Sequence, residues 1–268
     1  MPGSGMSCAP MAAERELLET SDDAVLGGRL TLRQPLSGHR VGHDAILLAA
    51  ATGGRAGELA VDLGAGVGAA GLALAARVAG LKVTLVEIDA ALSRLAADNA
   101  RLNRLDDRVG AVTCDAEDVS ALAAAGLAAG SADRVLMNPP FHDARRHSVS
   151  PDARRRLAHA GDLALLARWV ASAARLLKPH GVLTLIWRAD GVDDVLRTLA
   201  GEFGAVAVLP VQPREAAPAI RVLVRAVKSG TGGPVDHPPL VLNDTHGKPS
   251  AAAEAVLRGG ATLSITES

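Results

Sequence analysis

Aromatic side chains are scarce: two Trp, two Phe and no Tyr in 268 residues. The core must therefore be assembled from Leu, Val and Ala, and an aromatic set in a polar loop stands out against that background. Cysteine is equally rare. Cys8 and Cys114 lie too far apart to suggest a disulfide framework or a zinc spacing. His159, His180, His237 and His246 show no ligand spacing either, so no metal site is expected. Neither charge is in excess. The net charge is −1, and basic character must be sought as local patches. No apolar run is long enough to span a membrane. Residues 1–16 carry Pro, Gly and Ser and then charges, without the apolar core of a signal peptide. A soluble protein of a reducing, cytoplasmic compartment is the expectation.

The chain is 49% hydrophobic and 21% charged, which suits one large globular domain with small additions. Residues 1–20 read as a flexible leader. Residues 29–34 alternate polar and apolar, as a half-buried strand or hairpin arm does. A glycine-containing loop over 38–44 leads into a helix that Thr52-Gly53-Gly54 ends.

From residue 59 onwards strands alternate with helices. Strands are expected over 59–63, 82–87, 109–113, 133–137, 181–187, 205–209 and 219–227. Helices fall between them over 68–79, 90–103, 117–128, 162–177 and 191–200. This is an α/β pattern with a mostly parallel sheet of seven strands covered on both faces. The last two strands are joined by a loop from Pro210 to Pro218 and read as an antiparallel hairpin at one edge. The domain is expected over 21–228. Residues 229–268 look like an irregular tail ending in a short helix at 251–258. Ligands of such sheets sit at the carboxyl ends of the strands, where Gly64 to Gly68, Glu87, Asp115 and Asn138 all fall.

The segment Asp62-Leu63-Gly64-Ala65-Gly66-Val67-Gly68 joins a strand to a helix start. Glycines permit close backbone approach, and a helix N-terminus offers free N–H groups, so this is a nucleotide-type turn. Gly66-Val67-Gly68-Ala69-Ala70-Gly71 matches the dinucleotide fingerprint, with Glu87 spaced as a ribose-binding acid. A nicotinamide dehydrogenase is therefore one reading, and a turn whose glycines serve packing alone is another. Asp62 separates them. A carboxylate just before the glycines repels a pyrophosphate and attracts a cationic or hydrogen-bond-donating ligand. S-adenosylmethionine has no phosphate and carries an ammonium and a sulfonium.

Asn138-Pro139-Pro140-Phe141 is the most specific motif. Two prolines fix the backbone and remove two N–H donors. The Asn side chain adds a carbonyl acceptor, and Phe141 a flat face. Together they suit a planar amine, with two acceptors for its hydrogens and a ring for its π-system. Drawing those hydrogens out of plane localises the nitrogen lone pair, and no strong base is needed.

These motifs resemble motif I and motif IV of class I methyltransferases that act on amines of adenine, glutamine or guanine. Leu32-Arg33-Gln34-Pro35 and Arg40-Val41-Gly42-His43-Asp44-Ala45-Ile46-Leu47-Leu48 are similar to the segment preceding motif I in the bacterial valine-tRNA adenine-N6 methyltransferases. The resemblance runs from about residue 27 to residue 228. Two positions depart from it: His43, where Thr is common, and His142, where a second aromatic is common. The resemblance implies a Rossmann-like fold in which residues 21–58 close over the cofactor. It implies S-adenosylmethionine held by Asp62, Gly64, Ala65, Gly66, Gly68, Glu87, Asp115 and Ala116. Asp44 is a candidate for a cofactor contact or a helix cap, and Asp115 a helix cap as well as an adenine contact. Asn138, Pro139, Pro140 and Phe141 are the implied catalytic set. The implied substrate is RNA, a tRNA adenine N6, with Arg145 and Arg146 beside the active-site mouth as phosphate contacts. A protein glutamine amide or a small molecule is the alternative substrate, and a non-catalytic cofactor-binding protein a further alternative.

Overall fold

The computed structural model describes residues 19–37, 40–140 and 152–267. The leader expected over 1–20 therefore lies, up to residue 18, outside the described residues.

β1 (Thr20–Val25) and β2 (Leu30–Pro35) form an antiparallel hairpin, registered from Thr20 opposite Pro35 to Val25 opposite Leu30. α1 (His43–Thr52) follows. The main sheet then begins with β3 (Leu59–Leu63), α2 (Ala69–Arg77), β4 (Lys82–Glu87), α3 (Ala90–Leu102) and β5 (Val109–Thr113). It continues with α4 (Val119–Ala124), β6 (Ala132–Met137), α5 (Asp152–Leu176), β7 (Leu177–Arg188), α6 (Val192–Leu199), β8 (Phe203–Arg214) and β9 (Arg221–Lys228). Strands buried on both faces read as apolar runs, and Leu59-Ala60-Val61 and Leu183 to Trp187 are such runs. Aspartates set two of the helix starts. Asp89 accepts from the N–H groups of Ala91 and Leu92 at α3, and Asp118 from Ser120 and Ala121 at α4.

The expected seven strands are all present, in the order β8-β9-β7-β6-β3-β4-β5. The sheet has nine strands rather than seven, because β10 (Val235–Asp236) and β11 (Leu240–Asn243) both pair with β8 in parallel. The β8–β9 hairpin is therefore covered and does not form a free edge. Strands of two and four residues are too short for alternation to announce them. The C-terminal segment also supplies core. Leu240, Val256, Leu263 and Ile265 are buried in one cluster with Leu47 and Leu48 of α1 and Leu72 of α2. The end of α7 (Ala251–Leu257) is tied down by two guanidinium groups. Arg77 donates to the carbonyls of Val256 and, at 2.8 Å, Ala261, and Arg29 donates to Gly259 at 3.1 Å. The Gly259 and Ala261 carbonyls lie past the last helical turn, where a guanidinium can take the place of a helical donor.

The second cluster fills the opposite face of the sheet. It packs Trp169 and Val170 of α5, Val195 and Leu199 of α6 and Leu122 of α4 on Val61, Val135 and Leu185.

The chain runs outward from β3 through β4 to β5, then returns to place β6 on the other side of β3. This reversal opens a crevice at the carboxyl ends of β3 and β6, where ligands of doubly wound sheets bind. Leu63 pairs with both Val86 and Met137, so Gly64, Glu87 and Asn138 leave three adjacent strands at one level.

Ile265 is fully buried although it lies three residues from the C-terminus. Ile265→Ala is expected to cost about 3 kcal/mol, as a core truncation does, read as a lower urea midpoint with an unchanged slope. A cost within about 0.5 kcal/mol would show the segment to be a surface appendage.

Candidate functional site

Each glycine of the turn has a distinct physical reason. Gly64 has φ +70°, and a Cβ there would stand 2.3 Å from Cη2 of Trp169. Gly68 has φ +87°, and its Cβ would meet Leu85 at 2.8 Å. Gly66 has φ +57° but faces open space. At Gly66 the requirement is conformational, and the space beside it is room for a ligand. The N–H groups of Gly64 and Ala65 both donate to the carbonyl of Val86 at 2.9 Å, which fastens the turn to β4.

Gly68 is the N-cap of α2 and has no side chain to satisfy the helix's first donors. Asp62 supplies that acceptor from the end of β3: its Oδ2 receives the N–H of Gly71 at 2.8 Å. Glu87 holds the other side of the turn. Its Oε2 accepts from Gly66 N–H at 2.8 Å and its Oε1 from Asp89 N–H at 2.9 Å. Asp62 is 2% exposed and Glu87 8%. Burial pushes the Asp62 carboxyl up to about 7. The Gly71 N–H pulls against that shift and the nearby Glu87 charge adds to it. No cation figures among these influences. Two carboxylates beside an open glycine turn suit a ligand that brings positive charge or hydroxyl groups, and oppose a phosphate. Each Glu87 oxygen retains a lone pair after its backbone bond, enough to accept from a diol.

Asn138 follows β6 on the neighbouring strand end. It is half-buried, and its amide makes no hydrogen bond to any described residue. Pro139 behind it is buried and Pro140 is exposed. Asn138 thus stands directly after β6, at the level of Gly64 on the neighbouring strand. Phe141, Arg145 and Arg146 lie outside the described residues.

Two expectations change. Asp115 does not cap α4. Asp118 does so, and Asp115 instead accepts from Glu117 N–H at 2.9 Å in the turn before it. Asp115 remains exposed at the end of β5, and Ala116 beside it is buried. Asp44 does not cap α1, whose N-cap is Gly42. Its Oδ2 receives Arg221 Nε at 2.9 Å, at the start of β9, three strands away from β3. The turn, Glu87 and Asn138 are thus gathered, Asp115 flanks them, and Asp44 pairs with Arg221 beside the carboxyl end of β7.

Two neighbours of the turn were not singled out from the sequence. Ile88 is 66% exposed immediately after Glu87, an apolar surface that a flat ring could cover. Asn99 of α3 donates to the carbonyl of Val67 inside the turn at 3.0 Å. Its signal was present: asparagine is a poor residue for a helix interior, and α3 has Asn99 with another asparagine just past its end at Asn103. Among the described residues, no three His, Cys, Asp or Glu side chains gather as a metal site, and no helix is long and apolar enough to cross a membrane.

A family model described as the methyltransferase small domain matches residues 37–213. A protein of Porphyromonas gingivalis named tRNA1(Val) (adenine(37)-N6)-methyltransferase is 32% identical over 171 residues, 62% of this chain and 65% of the relative. The match thus spans just under two thirds of that relative's length. A protein of Shewanella amazonensis with the same name is 28% identical over 82% of this chain and 91% of its own. The solved structure of a predicted O-methyltransferase from Agrobacterium tumefaciens superposes with a TM-score of 0.70 at 27% identity, covering 82% of this chain and 98% of that one.

The Asp62 carboxyl makes stability depend on pH. Its folded value, about 7, stands above its unfolded value of 3.8, so the folded state keeps a proton that the unfolded chain has released. Its contribution is full below pH 4, falls as pH rises to about 7 and is level above that. Asp62→Asn keeps an acceptor for Gly71 and removes the titration. Denaturant unfolding is expected to show similar stabilities at pH 4, and at pH 8 a variant more stable by up to about 4 kcal/mol. A stability difference that does not change with pH would contradict the assignment.

Proposed function

Because the chain belongs to the methyltransferase small domain family, we propose that it transfers a methyl group from S-adenosylmethionine to an exocyclic amine, adenine N6 in a tRNA. The observation that carries the reading is the placement of Asn138 at the end of β6, one strand from the Asp62–Gly68 turn. The names of the relatives from P. gingivalis and S. amazonensis support tRNA adenine as the substrate. An enzyme with such a substrate works where tRNA is found, in the cytoplasm.

The residues present fit the cofactor. Asp62 and Glu87 form an acidic, phosphate-excluding wall, and Gly66 leaves room beside it. Glu87 would accept the ribose hydroxyls, and the Gly64, Ala65, Gly66 and Gly68 backbone would pass beneath the methionine portion. Ile88, Asp115 and Ala116 would border the adenine, with the Asp115 carboxylate accepting from its amine. The bound cofactor supplies an electrophilic methyl group on a sulfonium.

The chain's own work is positioning. The Asn138 side-chain oxygen and the Pro139 carbonyl accept the two hydrogens of the substrate amine. They draw these out of the ring plane and turn the nitrogen lone pair toward the methyl group. Phe141 stacks on the ring of the extruded base. The amine becomes acidic once methylated and releases its proton without a dedicated base. Arg145 and Arg146, which follow the motif in the sequence, serve the RNA backbone.

Asn138→Ala is expected to lower turnover about 100-fold, the scale of removing one transition-state hydrogen-bond partner. Binding of S-adenosylhomocysteine should stay within about twofold, since Asn138 meets the amine and not the cofactor turn. Full turnover by the variant would overturn the role. The substrate is tested by mass spectrometry of tRNA nucleosides from cells with and without the gene. Loss of N6-methyladenosine is expected, and unchanged content would remove tRNA adenine.

A further inference from the structure

The N-terminal hairpin meets α3 through two asparagine amides that stand in for a third strand. Asn103 Oδ1 accepts from Thr31 N–H at 2.9 Å, and its Nδ2 donates back to Thr31 O at 2.8 Å. Asn99 repeats the pairing one helical turn earlier. Its Oδ1 accepts from Arg33 N–H at 2.8 Å, and its Nδ2 donates to Arg33 O at 2.9 Å. The spacings agree. Four helical residues rise about 6.0 Å, and two strand residues about 6.8 Å. The outer edge of β2, left open by β1, is thereby closed.

The two rungs differ in their third bond and in burial, Asn99 being wholly buried and Asn103 half-buried. The second Nδ2 hydrogen of Asn103 returns to its own helix, at the carbonyl of Asn99. That of Asn99 leaves the helix and meets the carbonyl of Val67, between Gly66 and Gly68. Asn99 is wholly buried, so neither partner can turn to water. One amide therefore joins the hairpin, α3 and the glycine turn. Glu87 holds that turn by Gly66 N–H, and Asn99 by the next carbonyl.

We infer that Asn99 is a positioning residue for the glycine turn, and that through it cofactor affinity depends on the docking of the β1–β2 hairpin. This rests on the reading of the turn as the S-adenosylmethionine site. Asn103 shares the docking and lacks the link to the turn, which makes it the matched control. Linkage also requires the reverse: a cofactor bound against the turn must hold the hairpin more firmly.

Calorimetric binding of S-adenosylhomocysteine by the full chain separates the outcomes. Asn99→Ala and Asn103→Ala should both lower the melting temperature, the buried Asn99 more. Only Asn99→Ala should weaken binding, by about tenfold, the scale of one hydrogen bond. In the wild type, saturating S-adenosylhomocysteine should slow amide exchange at Thr31 and Arg33. That measurement holds even where Asn99→Ala fails to fold. Equal binding losses in the two variants, or unchanged exchange at Arg33 in protein that binds the ligand, would overturn the inference alone. Failure of the wild type to bind S-adenosylhomocysteine would overturn both the inference and the reading beneath it.

Discussion

Asp62 and Glu87 lie buried side by side and spend their hydrogen bonds on the backbone of one turn. Asp62 anchors the start of α2 through Gly71, and Glu87 pins Gly66. No cation figures among the influences on Asp62, which carries the cost of burial as a carboxyl pushed up to about 7. A protein selected for stability alone would have a neutral acceptor at Asp62. Unfavourable groups of this kind persist where the surroundings over-determine them and where they serve a ligand.

The rest of the architecture keeps that turn in place. Trp169 of α5 closes over Gly64 so tightly that no other residue fits. Val86 of β4 takes two N–H groups from the turn. Asn99 of α3 brings the hairpin to the same carbonyl-rich loop. β6 then delivers Asn138 at the level of Gly64 because Met137 pairs with Leu63. The proposed methyl-donor turn and the proposed amine site thus sit on neighbouring strand ends, and their relation is set by sheet register.

Much of this is legible in the residues. β3, β4 and β5 have the bounds expected from the sequence, and in β3 the signal is an apolar run buried on both faces. Asp62 separates a phosphate site from a cation site by charge alone. What stays hidden is set by partners far away in sequence. No local pattern pairs Asp44 with Arg221 across 177 positions, or brings Arg77 to Ala261. β10 and β11 are too short for periodicity and exist through pairing with β8. α5 opens at Asp152, well before the helix expected over 162–177, since arginine favours helix without marking a buried face. The turn at Asp115 mimics a helix cap because Asp118, three residues on, has the same chemistry.

The central claim is that the turn, lined by the acidic groups of Asp62 and Glu87, selects a phosphate-free nucleoside. Thermal unfolding of the full chain with S-adenosylmethionine or with NAD tests it most directly. A ligand at about 100 times its dissociation constant adds about 2.7 kcal/mol. The account predicts a rise of several degrees with S-adenosylmethionine and none with NAD. A rise with NAD and none with S-adenosylmethionine would contradict it.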